Sequence, residues 1–390
     1  MLKDALKSER PTTPVEVLEL VADAGAAGRA LEIIGGGTKR SIGAVTGAAA
    51  VLSLAKLDKV VDYAPEELVL TAQAGARLSD LEQLVAAEGQ MLPFEPPHLT
   101  GLLGSRGEPT LGGVLAANLS GPRRIRAGAA RDHFLGFEAV TGRGEAVKAG
   151  GKVVKNVTGY DLSKLMAGSW GTLAVLTEVT IKVLPAGRTE LTLLFFGLDD
   201  NRACELMAKA MNAPVELSGA AHLPTRTAAR KPLKGEMAVT ALRLEGFEAS
   251  VAARTEALIA ALKSFGRAEQ LDAEHSREFW TQVREVEAFR GDKRPLWRIS
   301  VAPASGWRVG EALSGDALYD WAGGLIWLLS QDDPAKVRGV VHALGGHTAC
   351  YRGEGSGFEP VVGSLAALSA RVKAAFDPNG VLNPGRMAKS

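Results

Sequence analysis

Leu31-Glu32-Ile33-Ile34-Gly35-Gly36-Gly37-Thr38-Lys39 is a short apolar strand running straight into three glycines, a hydroxyl and an amine. A glycine turn after a strand lets backbone N–H groups approach an anion with no Cβ in the way. A second cluster, Thr110-Leu111-Gly112-Gly113-Val114-Leu115-Ala116-Ala117-Asn118, reads as a helix start with small residues at its N-terminus. Unsatisfied N–H groups and the helix dipole there attract an anion or an electron-rich heterocycle. The two clusters predict a backbone-lined diphosphate site; the alternative is a pair of tight turns without a ligand. Three other motifs are excluded. Lys39 follows Thr38, and Lys152, preceded by Gly151, is followed by Val153, so neither completes Gly-x-x-x-x-Gly-Lys-Ser/Thr. Arg40 stands where Gly-x-Gly-x-x-Gly needs its third glycine. Ser105, Ser169 and Ser356 have Leu103, Ala167 and Glu354 two residues earlier, so none sits in Gly-x-Ser-x-Gly.

Outward from the glycine turn, Thr13 as N-cap, Pro14 at the first helical position and Glu16 three residues after the cap predict a helix with Val17, Leu18, Val21 and Ala22 on one face. Apolar runs at 51–54, 60–63 and 69–72 predict strands, and Leu78, Leu81, Leu84 and Val85 an amphipathic helix over 78–88. Pro93, Pro96 and Pro97 mark an extended loop. Beyond Pro185 the rhythm becomes strand, helix, strand, at 191–196, 201–211 and 215–222, and again at 237–244, 250–264 and 267–272. That spacing suits a ferredoxin-like antiparallel sheet with helices on one face, and places a domain boundary near Pro185.

At about 150 residues per domain, 390 residues suggest two to three domains. Forty-five Lys+Arg against 44 Asp+Glu leave a formal +1, which excludes a whole-surface basic field for nucleic acid or membrane phosphates. Any anion site is local. Cys204 and Cys350 are far apart and neither belongs to a CxxC pair, so an iron–sulfur cluster or structural zinc held by this chain is not expected; two reduced, buried thiols are. Lys3, Asp4, Lys7, Glu9 and Arg10 interrupt any secretory h-region. The late apolar run 322–329 is far below the roughly 20 residues of a spanning helix. The expectation is a cytoplasmic chain with no direct membrane span, peripheral at the inner membrane only through partner subunits.

A third cluster carries a family likeness. Lys155-Asn156-Val157-Thr158-Gly159-Tyr160-Asp161-Leu162, followed by Gly168-Ser169-Trp170-Gly171-Thr172-Leu173-Ala174-Val175-Leu176-Thr177-Glu178, resembles the FAD-binding signature of the vanillyl-alcohol oxidase and p-cresol methylhydroxylase (PCMH) superfamily. The tail Asn383-Pro384-Gly385-Arg386-Met387 fits as well. Within that superfamily these motifs, with 110–118, look like the FAD-binding subunits of glycolate oxidase (glycolate dehydrogenase), and the short length looks like the smaller of them. The resemblance covers about 1–185 and 345–390. It implies an α+β fold: a PCMH-type FAD-binding domain of two α+β subdomains over 1–185, a central ferredoxin-like cap domain on an antiparallel sheet over 186–345, and a segment over 346–390 returning to the FAD domain. It implies pyrophosphate on the backbone of Gly35, Gly36, Gly37, Thr38 and Lys39, and ribityl and isoalloxazine against Thr110, Gly112, Gly113, Ala116, Ala117 and Ser120. Gly171, Thr172 and Val175 fall on the adenine side, Arg131 and Asp132 near the flavin, and Asn383 reaches it from the tail. Ala174 replaces a glycine usual in the family and narrows the cleft. With no histidine in or beside 35–39, the FAD is expected to be noncovalent.

Oxidising a 2-hydroxy acid such as glycolate requires a base for the hydroxyl proton, a cation for the carboxylate and an acceptor for hydride. His347 is the candidate base, with His342 an alternative, and Tyr351 and Arg352 are candidates to orient the carboxylate. The run Arg123, Arg124, Arg126 and Arg131 is either a solvated or partner-facing patch or an anion contact; Arg290, Trp297, Arg298 and Trp327 form a substrate face or a subunit interface. Lys155 and Asp161 read as a loop-shaping ion pair. No His-x-His cluster offers a metal site, whereas the larger glycolate oxidase subunit carries a denser set of histidines and acids. The resemblance implies that larger FAD-binding subunit and an iron–sulfur subunit as partners, with electrons passing toward quinone and no nucleic acid involved. Three activities stay open: oxidation of glycolate to glyoxylate within the complex, an FAD-binding assembly or electron-relay role without its own turnover, and another flavoenzyme of the fold such as a sugar-nucleotide reductase.

Overall fold

The Thr13 hydroxyl accepts the Glu16 N–H at 3.2 Å and starts the helix Pro14–Ala26, while the Glu16 carboxylate turns back onto the Thr12 N–H at 2.7 Å. Val17, Val21 and Ala24 form its buried face. The computed structural model describes residues 7–44, 46–151, 160–230, 232–353 and 357–387. Strands β1 (Lys7–Glu9), β2 (Leu31–Ile34) and β3 (Ala50–Ser53) make a small parallel sheet with β3 central. The next strands are β4 (Val60–Ala64), β5 (Val69–Gln73), the two-residue β6 (Gln90–Met91), β7 (Phe134–Thr141), β8 (Ala146–Gly150), β9 (Ala174–Lys182) and the two-residue β10 (Leu184–Pro185). Of these, β4-β5-β9-β7-β8 form an antiparallel sheet and β6 pairs with β10. This is the two-part α+β arrangement expected upstream of Pro185.

The first cap unit follows the predicted rhythm. Strands β11 (Thr189–Phe196), β12 (Gly219–Leu223), β13 (Val239–Gly246) and β14 (Glu269–Leu271) lie in the order β14-β11-β13-β12, with helices Asp200–Met211 and Glu248–Leu262 in the crossovers. That is a ferredoxin-like βαββαβ unit. A second copy follows, which the sequence pattern does not separate: β15 (Leu296–Ser300), β16 (Asp316–Asp320), β17 (Leu325–Leu329) and β18 (His347–Arg352), with helices Gly306–Ala312 and Pro334–Ala343. Its order, β16-β17-β15-β18, is the same topology. The units join edge to edge where His222 of β12 pairs with Tyr319 of β16, and β19 (Gly357–Phe358) completes a nine-stranded sheet. Residues 347–352, placed by sequence at the start of the returning tail, are thus the last strand of the second unit.

Alternation along the strands sorts the two faces. Phe195, Leu242, Leu244, Trp297, Ile299, Ile326 and Leu328 pack under the helices, while Leu194, Ala241, Leu296, Leu318, Trp327 and Tyr351 merge with the core of the first 185 residues. A buried ionic ladder crosses that second boundary. Arg243 grips Glu95 with two hydrogen bonds of 2.9 Å, and Arg123 reaches Glu245 at 2.7 Å and Glu95 at 3.1 Å. Burial alone would raise the Glu245 carboxyl, but Arg243 and Arg123 hold it down at about 2. After the helix Gly363–Phe376, Leu382 of the tail bridges Leu31 of β2 in parallel.

Candidate cofactor and substrate site

A cleft with about 710 Å³ of atom-free space opens between the glycine turn after β2, the helix Leu111–Ala117 and the Trp170–Gly171 turn before β9. Its walls bring together Gly35, Gly36, Gly37, Thr38, Lys39, Thr110, Gly112, Gly113, Ala116, Ala117 and Gly171, all singled out from sequence, with Arg40, Trp170, Ala174 and Arg386. The bare glycines have a reason the sequence does not reveal. A Cβ on Gly36 would stand 1.6 Å from the Glu108 carbonyl oxygen, one on Gly35 2.2 Å from Thr110 Oγ1, and one on Gly107 1.7 Å from the Gly36 oxygen. Two backbones therefore cross in contact, and only Gly37, at φ +75°, is required by the turn itself. Thr110 caps its helix by accepting the Gly113 N–H at 3.3 Å.

The buried cations of the cleft are the test of whether an anionic cofactor fits. Lys39 is 8% exposed, and its amine donates only to Thr38 Oγ1, at 3.1 Å, among the described residues. Burial lowers that amine to about 8. Arg386, 6% exposed, donates to the Lys39 carbonyl at 2.8 Å and leaves its Nε buried without a partner. Arg40, in the same turn, is already paired with Glu32. Small residues for a flat ring and uncompensated cations for a diphosphate meet in one cleft, so the residues fit a dinucleotide.

Several expected contacts lie elsewhere. Val175 is fully buried on the far face of β9, and its neighbours Ala174 and Leu176 line the cleft, a one-residue phase error on a strand of period 2. Asn383 does not reach into the cleft: its Oδ1 accepts the Ile33 N–H at 2.8 Å and its Nδ2 donates to the Trp170 carbonyl at 2.9 Å, clasping tail, β2 and turn together. The Thr172 hydroxyl donates to the Ser169 carbonyl at 2.6 Å. Ser120 accepts the Ala130 N–H at 2.9 Å, Asp132 accepts the Ala129 N–H at 2.8 Å, and the Arg131 N–H donates to Asn118 at 3.0 Å; all three shape the chain beyond the helix, with Arg131 and Asp132 exposed. Lys155–Gly159 of the signature fall outside the described residues; Asp161 pairs with Lys164 at 3.2 Å.

The cap presents a second group. Cross-strand register places Trp327, Arg298, Ala349 and Phe358 in one row over β17, β15, β18 and β19. Phe358 packs on Trp170 of the cleft, ring centroids 5.0 Å apart. Arg298 lies 5.1 Å from the Trp321 ring, and Arg124 lies 4.3 Å from it. Neither guanidinium has a hydrogen bond or ion pair to a side chain among the described residues. Trp321 and Ala322 hold φ +52° and +57°, an uncommon backbone for such residues and the strain expected beside a functional group. His347 starts β18 on the face that carries Arg298, and partial burial, then Arg298 and Arg124, lower its pKa. The other arginines separate: Arg123 joins the buried ladder, Arg126 meets Glu216 at 3.1 Å, and exposed Arg290 meets Glu287.

The expected orienting pair is corrected. Tyr351 is 3% exposed, edge-on to Trp327 at 5.2 Å, and Arg352 donates to the Arg294 and Leu102 carbonyls at 3.1 and 2.9 Å, pinning the cap to the first 185 residues, with its Nη2 buried without a partner. Trp297 packs under the helices instead. Cys204 and Cys350 are free and buried. Among the described residues, no helix is long and apolar enough to cross a membrane.

Known proteins resemble this geometry. A family model for an FAD binding domain matches residues 9–150. Glycolate oxidase subunit GlcE of Escherichia coli (strain K12) is 37% identical over 329 residues, 84% of this chain and 84% of that protein. D-lactate dehydrogenase of Anaerostipes hadrus is 37% identical over 39% of this chain and 30% of its own length. Glycolate oxidase subunit GlcD of Bacillus subtilis (strain 168) is 34% identical over 37% and 29%. At 16% identity, the structure of p-cresol methylhydroxylase with substrate bound shares the fold, with a TM-score of 0.67 over 98% of this chain and 88% of that one. Given the cleft, the matched FAD binding domain and the length shared with GlcE, the chain belongs to the glycolate oxidase subunit GlcE family of FAD-linked oxidoreductases, and FAD is its cofactor.

Proposed function

We propose that the chain oxidises a small 2-hydroxy acid, glycolate to glyoxylate, as part of a multisubunit enzyme. The observation that carries this reading is the pair of unpaired guanidiniums, Arg124 and Arg298, on either side of Trp321 and beside His347. A carboxylate held there gains two charge-assisted contacts from guanidiniums that form no ion pair among the described residues. The lowered pKa of His347 keeps it neutral near pH 7, ready to take the substrate's hydroxyl proton at a ring nitrogen. FAD, when bound in the adjacent cleft, supplies the acceptor for the hydride leaving the α-carbon. Trp327, Trp321 and Tyr351 exclude water from that side of the site. The sequence places no histidine in or beside 35–39, and a noncovalent cofactor is the reading that follows.

The partners that fit are a larger FAD-binding glycolate oxidase subunit and an iron–sulfur subunit delivering electrons to quinone, since two isolated cysteines offer this sequence no cluster of its own. Peripheral placement at the inner membrane would follow from those partners. The test is an anaerobic visible spectrum of the purified chain before and after glycolate. Bleaching of the flavin absorbance in the wild type, roughly ten- to a hundredfold slower in Arg298→Gln, supports turnover by this chain. A flavin spectrum that glycolate leaves unchanged makes it an assembly or relay subunit.

A further inference from the structure

Three cations stand in or against the glycine turn, and only one has an ion-pair partner among the described residues. Arg40 is paired with Glu32. Lys39 and Arg386 face the cleft with no ion-pair partner among the described residues, one contributed by the turn and the other by the C-terminal tail. Burying a cation without a counter-charge is costly, and a chain keeps two in one cleft when an anion completes them. Resting on FAD as the cofactor, we infer that Lys39 and Arg386 form a two-cation clamp on its diphosphate, so that cofactor loading and docking of the C-terminal tail are one coupled event.

The coupling follows from where Arg386 stands. The tail is held to the cleft's walls by the Leu31 N–H to the Val381 carbonyl at 2.7 Å, the Asn383 N–H to the Leu31 carbonyl at 3.0 Å, and the Ala44 N–H to the Arg386 carbonyl at 3.0 Å. Lys373 adds hydrogen bonds to the Thr172 and Leu382 carbonyls at 2.6 and 3.0 Å. Undocking the tail removes Arg386 from the anion and loosens β2 and the Trp170–Gly171 turn together. A ligand that binds only the docked form must, by linkage, stabilise docking.

The test compares FAD with riboflavin, which has the same ring system and no diphosphate, by fluorescence titration of the flavin-free chain. Lys39→Met and Arg386→Gln are each expected to weaken FAD roughly ten- to a hundredfold and riboflavin less than about twofold, and Arg386→Lys to recover part of the FAD affinity. The flavin-free Lys39→Met chain should melt at or above the wild-type temperature, because the substitution removes an uncompensated buried charge. Limited proteolysis should show FAD, but not riboflavin, protecting the tail of the wild type. Equal losses for both ligands, unchanged FAD affinity in the variants, or a tail insensitive to FAD overturns the clamp. A wild-type chain that takes up no FAD overturns the cofactor assignment instead.

Discussion

The two ferredoxin-like halves of the cap share a topology and turn the same face toward the FAD-binding region, yet they use charge in opposite ways. In the first, Arg243 is 1% exposed and fully engaged, with Glu95 across the boundary and Glu245 beside it. In the second, Arg298 stands over the rings of Trp321 and Trp327 and has no ion pair among the described residues. A buried guanidinium that makes four hydrogen bonds, two of them to a carboxylate, fixes a position and has little left to give a ligand; one that lacks a carboxylate is held ready for one. The first half is therefore the anchor and the second the working surface.

The largest effect that would break this contrast is removal of the anchor. Arg243→Ala leaves Glu95 and Glu245 buried with Arg123 as their one remaining cation, and a loss of about 3–5 kcal/mol of stability is expected, read by denaturant unfolding; a variant as stable as wild type would mean that Arg243 holds nothing in the ladder. A smaller effect sharpens the other side. Ala349 is directly opposite Arg298, so Ala349→Glu gives Arg298 the internal partner it lacks. Glycolate kcat/KM should fall roughly ten- to a hundredfold, as in Arg298→Gln, while the melting temperature holds or rises. Full activity in Ala349→Glu would remove Arg298 from the site.

The same contrast explains what could be read from sequence. The first unit announced itself through local periodicity, as did the helix Leu78–Ala87 and the Thr110 cap. The second was hidden because its hairpin between β16 and β17 is only five residues on each side, and its turn, Trp321 and Ala322 in the left-handed region followed by Gly323-Gly324, begins with apolar residues that read as part of the run. In the cofactor cleft, glycine and alanine were legible as a cradle, but the backbone crossing at Gly36 and Glu108 is tertiary. Asn383 was legible as a motif and misread in role, because its amide is consumed by backbone groups of two other segments. Whether an arginine is paired depends on distant partners, 148 residues away for Arg243 and Glu95, and no local pattern carries that.

The smallest expected effect concerns His347 and separates electrostatic coupling from mere proximity. Partial burial, then Arg298, lower its pKa from the usual 6.5; Glu359 pulls the other way, and Arg124 adds a smaller lowering. A base must be neutral to act, so glycolate kcat/KM should rise with pH through that lowered pKa and be flat by neutrality; acidification protonates His347 and costs activity only below its ordinary titration range. Replacing Arg298 by Gln removes one of the two charges that disfavour the imidazolium. The His347 pKa, followed by NMR of the ring protons, should then move up toward 6.5, and the acid limb of the residual activity should move with it. If the limb stays in place while the NMR titration shifts, His347 is not the proton acceptor. If neither moves, Arg298 does not act on His347, and the second half of the cap loses the electrostatic link that distinguishes it from the first.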